Sequence, residues 1–127
     1  MTQYHREQVS GSWFGLNNEN PDVQYSESAL FGLDGSFEFT FLTLDRHGQI
    51  IEQVTQYGDW GLVADIHFTI TKSELIEQEV YAADLGNADN YHAYQVLQLT
   101  ARVFEYQDIR SKEVFMLRRV TDNIGHC

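Results

Sequence analysis

Residues 31–70 read FGLDGSFEFTFLTLDRHGQIIEQVTQYGDWGLVADIHFTI, four apolar runs separated by turn residues. Phe37, Phe39 and Phe41 fall on one side of a pleated strand, with Ser36, Glu38 and Thr40 on the other. Further on, Trp60, Leu62, Ala64, Ile66, Phe68 and Ile70 share one face, opposed by Val63, Asp65, His67 and Thr69. Alternation of period two sustained over this length predicts a sheet with one buried and one wet face.

The turn at Leu33-Asp34-Gly35 decides a register. A two-residue loop sets Phe31 opposite Glu38, whereas a three-residue turn with a bulge sets Phe31 opposite Phe37 and keeps the aromatic residues together. The second is preferred, because a slip of one residue sends every side chain to the other face. It carries Glu27 onto the buried face with Phe31. The next turns are read at DRHG (45–48) and at Gly58-Asp59, so that one strand is expected over 49–57 and another from Trp60 to Ile70.

Working outward, 9–16 (VSGSWFGL) reads as a first strand and 25–33 as a second, joined by the loop NNENPDVQ at 17–24, which holds the single proline. Residues 71–90 break the rhythm. Thr71-x-x-Glu74 and Gly86 fit the start and stop of a short helix, while the alternation of IEQEVY fits an extra strand, so both remain open within 72–86. Strands follow at about 91–99, 102–107 and 113–120, the last two joined by IRSK, with a tail at 121–127. Eight strands on mostly short connections predict an all-β, eight-stranded antiparallel up-and-down barrel over about 9–120, within a single domain of residues 1–127. A sandwich is the alternative, but it usually needs longer crossing connections.

The 127 residues suffice to bury one core, and 43% hydrophobic with 13% aromatic content fits a folded globular chain. Nineteen acidic against eight basic residues give a net charge of −11. That field repels polyanions, so neither nucleic acid nor an anionic membrane surface is an expected partner. No apolar run approaches the roughly 20 residues needed to cross a bilayer, and the polar opening MTQYHREQ is unlike a secretory signal. Cys127 is the single cysteine, which rules out an internal disulfide and a zinc–thiolate cluster. A cytoplasmic location is expected.

Gly11-Ser12-Trp13 resembles the G-x-W signature of lipocalins. The series GSW, F-x-x-D-G-S-F, G-D-W, Y-Q-V-L-Q-L-T and a final F-M-L-R-R-V is similar, in order and spacing, to small bacterial lipocalin-like domains of the calycin group. The likeness runs from about Val9 to Val120. It implies a cup-shaped barrel whose base is closed by a last-strand Arg or Lys packed over the G-x-W tryptophan.

Turn alternation in an up-and-down barrel brings Trp13, Trp60 and Arg119 to one end, and Arg119 shares a face with Phe115 and Leu117. These three are the expected structural closure. The other end, carrying the longest connections, is the expected mouth. Glu27, Phe41, Phe68, His92, Tyr94 and Phe115 are the inward-pointing candidates for ligand contact there.

Asp65 and His67, two apart, have a spacing able to offer two metal ligands, but opposite the apolar stripe they read as solvent-exposed. No metal site, cofactor or catalytic residue is expected. No nucleophile elbow, phosphate loop or H-E-x-x-H occurs. The leading expectation is non-catalytic binding of a small apolar or amphipathic molecule inside the barrel. The alternative is a barrel filled by its own 8 Phe, 7 Tyr and 2 Trp, acting as a structural or interaction module, for instance as a homodimer. A cavity of roughly 300 Å³ or more favours the first, and a packed interior the second. A third reading makes Glu27 and His92 the acid–base pair of a small-molecule isomerase or hydrolase, and needs them within hydrogen-bond reach.

Overall fold

A computed structural model of the chain describes residues 4–17 and 21–120. The expected loop at 17–24 lies partly, and the tail at 121–127 with Cys127 wholly, outside the described residues. A one-turn helix, α1 (Arg6–Val9), leads into β1 (Gly11–Asn17), β2 (Val23–Phe31), β3 (Ser36–Asp45), β4 (Ile50–Val63) and β5 (Ile66–Ile76). Then come β6 (Glu79–Ala82), a 3-10 turn (Ala88–Asn90), β7 (Tyr91–Leu99), β8 (Val103–Asp108) and β9 (Val114–Arg119).

The strands pair antiparallel in the order β4-β3-β2-β1-β9-β8-β7-β5, and β4 pairs with β5 to close the barrel. Closure of eight strands leaves no open edge in the wall. β6 is an extra strand hydrogen-bonded to the outer end of β5. Among the described residues no helix is long and apolar enough to cross a membrane.

The expected register at the β2–β3 hairpin is present. Phe31 pairs with Phe37, Glu27 with Phe41, and Gly32 donates its amide to the Ser36 carbonyl at 2.8 Å. Asp34 Oδ1 fixes the turn by accepting from both the amide and the hydroxyl of Ser36, at 3.0 and 2.7 Å. Asp45 Oδ1 does the same for the next turn, accepting from the His47 and Gln49 amides.

The second half of the quoted stretch departs from expectation. Gly58 and Asp59 make no turn but lie within the 14-residue β4. The chain reverses instead at Ala64-Asp65, with Ala64 in the left-handed region at φ 55°. Val63 then pairs with Ile66 and Trp60 with Thr69, so even-numbered residues of β4 face odd-numbered residues of β5. The face that reads as Trp60 to Ile70 in one strand is therefore split. Trp60 stays inside, but His67, Thr69 and Thr71 take the inner positions, and Phe68 and Ile70 move to the outer face. His67, expected in solvent, is 1% exposed.

Beyond Thr71 a bulge opposite Tyr57 and Gly58 restores the other parity. β5 runs on to Ile76, a two-residue turn at Glu77-Gln78 with φ of 51° and 70° reverses it, and β6 follows. Paired positive φ values are the geometry that suits the twist of a tight hairpin. The extra strand, not the short helix, is thus what 72–86 contains.

The core occupies the base of the barrel, where Trp13, Phe31, Trp60, Phe104 and Leu117 are all buried. Their rings meet edge-on or tilted: Trp13–Phe104 at 5.6 Å, Phe31–Trp60 at 5.4 Å and Phe31–Phe104 at 6.4 Å. Such geometry suits the quadrupoles of aromatic rings better than face-to-face stacking.

Candidate functional site: a half-filled aromatic cavity

The base is sealed by cations over indoles. Arg119 Cζ stands 4.2 Å from the Trp13 ring centroid, and Arg6 Cζ stands 4.6 Å from that of Trp60. The Arg119 guanidinium donates to the carbonyls of Gln8, Ser10 and Ala101 at 2.6, 2.7 and 2.8 Å. The two indole nitrogens donate to the Val9 and Gly32 carbonyls at 2.7 and 2.8 Å. Gly11 of the GSW stretch, at φ 113°, has no room for a side chain, because a Cβ there would stand 2.6 Å from the Arg119 guanidinium. Trp13, Trp60 and Arg119 are brought together at this end, and Arg118 points outward.

Above this plug the barrel is not filled. A cavity of about 160 Å³ opens toward the mouth. Phe37, Phe39 and Phe41 of β3 line one wall, and Tyr94, Tyr106 and Phe115 the wall across from it. Phe31 and His67 line it as well, on the side of the base plug. Glu27, Gln56, Thr69 and His92 are the remaining lining groups. Five of the six expected contact residues, Glu27, Phe41, His92, Tyr94 and Phe115, are thus placed around one space. Phe68 is not; the parity change at Ala64-Asp65 turns it outward, where its ring covers Gly61.

Each polar lining group has a distinct state. Glu27 enters because the β2–β3 register aligns it with Phe31. Burial, and then the like charge of Glu113, raise its carboxyl above the ordinary carboxylate value. Among the described residues it has neither a hydrogen-bond donor nor a cation beside it. No hydrogen bond joins it to His92, so the acid–base pairing is not assembled here. His92 lies by Asp108, whose carboxyl it helps to hold low, after the Ser111 and Arg110 amides. Gln56 is tied to Glu74 at 3.3 Å. Tyr94 shares a hydrogen bond with Thr69, while burial and then the Asp108 charge push its hydroxyl up to about 12.

His67 is the lining residue that the alternation pattern hides. Its ring sits among Phe31 at 5.1 Å, Phe104 at 5.3 Å, Tyr94 at 5.7 Å and Tyr106 at 5.9 Å. Burial drives its pKa down to about 3, against a smaller opposing effect of a hydrogen bond to the Gly61 carbonyl. The imidazole is therefore neutral at ordinary pH. Its proton belongs to the nitrogen that serves Gly61, because Nδ1 has no partner. Nδ1 is a buried lone pair left unused, a condition native interiors seldom tolerate.

No cluster of three or more potential metal ligands exists among the described residues. What the arrangement offers is shape, aromatic surface and hydrogen-bond acceptors. The chain matches no family model, and no curated protein is significantly similar to it.

Proposed function

We propose that this protein is a lipocalin-like binding barrel that holds a small apolar or amphipathic molecule, without catalysis, between its aromatic walls. The observation that carries this reading is the cavity itself: aromatic on both sides, plugged at one end, open at the other, and edged by a few polar groups. Binding sites for small molecules have this composition, mostly apolar with a few placed polar groups that fix orientation. The GSW stretch and the Arg119–Trp13 stack support the lipocalin-like part of the reading.

The volume sets the scale. At about 160 Å³ the cavity falls short of the roughly 300 Å³ at which drug-sized sites begin. An apolar cavity of about 150 Å³ is nonetheless enough for a benzene-sized guest. The occupant is accordingly a molecule of one ring or a short chain, with any larger part projecting from the mouth. The same shortfall supports a second reading, in which the barrel is a scaffold whose interior is merely imperfectly packed.

Titration calorimetry of the purified protein against one-ring compounds, together with native mass spectrometry for co-purified molecules, separates the two. Saturable binding at one site, lost when Phe39→Trp fills the cavity, is the expected result. Absence of binding across neutral, cationic and anionic one-ring probes, with nothing co-purified, leaves the scaffold reading in its place.

A further inference from the structure

Resting on the binding reading above, we infer that the cavity selects a small organic cation, an amine carried on an aromatic or short aliphatic body, with its ammonium group held near Glu27. The argument begins with what the lining lacks. Among the described residues no lysine or arginine lines the cavity, and of its two histidines His67 is buried and neutral, while His92 lies by the Asp108 carboxylate. An anionic ligand finds no lysine or arginine to pair with here among the described residues.

The lining offers acceptors instead. Glu27 is a largely buried carboxylate with no donor of its own among the described residues, and Glu113 near it adds a second negative charge. His67 Nδ1 is a second unused acceptor, on a residue that is 1% exposed. Two acceptors without donors are satisfied by a ligand that brings N–H groups. A cation does so at Glu27 while relieving the repulsion from Glu113.

The walls suit the same guest. Phe39 and Phe41, stacked at 4.8 Å, and the Tyr106–Phe115 pair, stacked at 5.4 Å, surround the space with ring surface. The negative faces of aromatic rings attract an ammonium, most strongly where water is excluded. A net charge of −11 over the whole chain adds long-range attraction for cations.

Three probes of nearly one size test this: benzylamine, benzyl alcohol and benzoate, titrated into the wild-type protein and into Glu27→Gln at low salt and pH 7. The expected order is benzylamine tighter than benzyl alcohol by on the order of tenfold or more, as for a charge-assisted hydrogen bond in a sheltered site, with benzoate weakest. In Glu27→Gln the amine loses more affinity than the alcohol does, and the gap between them closes to about twofold. The same titrations repeated near pH 5 in two buffers of different ionisation enthalpy, neither of them an amine, report protons exchanged on binding. An ammonium that draws Glu27 into its ionised form releases protons as pH falls toward the carboxylate range, and benzyl alcohol does not.

Equal affinity for benzylamine and benzyl alcohol in the wild type overturns the cation assignment and leaves the binding reading standing. A preference that survives Glu27→Gln overturns the placement at Glu27. Binding by none of the three probes overturns the binding reading, and the cation assignment with it. A melting curve for Glu27→Gln matching or exceeding wild type shows that the variant is folded when it is titrated.

Discussion

Arg119 lies over the indole of Trp13, joining the end of the last strand to the start of the first. Its guanidinium also donates to three backbone carbonyls, two of them in the segment that precedes β1. One side chain thereby closes the barrel seam, caps a fully buried ring and ties down the N-terminal turn.

Removing the ring leaves a large void at the base. Trp13→Ala is expected to cost about 3–5 kcal/mol, much of a small domain's stability. Arg119→Ala removes a cation over a ring and three charge-assisted hydrogen bonds, a loss of about 1–3 kcal/mol. Arg118→Ala, on the neighbouring outward position, stays within about 0.5 kcal/mol. Urea midpoints of the three variants check the order, and damage from Arg118→Ala but not from Arg119→Ala contradicts it.

Glu27→Gln probes the cavity without a ligand. Burial and the Glu113 charge raise the Glu27 carboxyl, so the folded chain holds its proton to higher pH than the unfolded chain does. The ionised group therefore weakens the fold as pH rises above the ordinary carboxylate range. Glutamine keeps the shape and removes the charge. A higher urea midpoint than wild type at pH 7, with the difference closing by about pH 4, is the expected outcome. A lower midpoint at pH 7 means that the carboxylate is stabilised by contacts other than those described.

How far the fold is legible in the chain depends on which turns announce themselves. Asp34-Gly35 and Asp45 to Gly48 carry the residues that tight turns require, and both the register at Phe31–Phe37 and the inward Glu27 follow from them. Ala64-Asp65 carries no glycine or proline, and alternation runs through it unbroken, so nothing local marks the reversal. Gly58-Asp59 looks like a turn and is instead a place where backbones nearly touch: a Cβ on Gly58 would run into the Ile70 carbonyl. Misplacing that one reversal puts Phe68 inside and His67 outside. Counting inner positions from Trp60 across a two-residue loop at Ala64-Asp65 places His67 inside and Phe68 outside.

Two substitutions test this account of the β4–β5 hairpin. Gly58→Ala forces β5 away from β4 and is expected to cost on the order of 1–3 kcal/mol. Ala64→Gly relieves a left-handed alanine and is expected to leave stability unchanged or raised by up to about 1 kcal/mol. Thermal melts distinguish these from the reverse order, which a turn at Gly58-Asp59 would give.

His67 supplies the clearest dependence on pH. In the folded chain its pKa is about 3, because burial disfavours the charged ring, whereas the unfolded value is the ordinary 6.5. Between those values the unfolded chain binds a proton that the folded chain refuses, so stability falls as pH drops from about 6.5 toward 3. The full difference amounts to roughly 3–5 kcal/mol, and about half of it is reached by pH 4.5 to 5. Glu27, with its raised carboxyl, acts in the opposite sense over part of the same range. Comparison with a variant lacking the imidazole therefore isolates the His67 share. His67→Phe places an apolar ring of similar size among Phe31, Phe104 and Tyr106 and removes the unpartnered Nδ1 together with the titration. Its stability is expected to vary less steeply than wild type from pH 7 to pH 4.5, so that the variant gains on wild type as pH falls. Parallel curves for the two proteins over that range mean that the imidazole is solvated in solution, and with it that the inner face of β5 is not the one described.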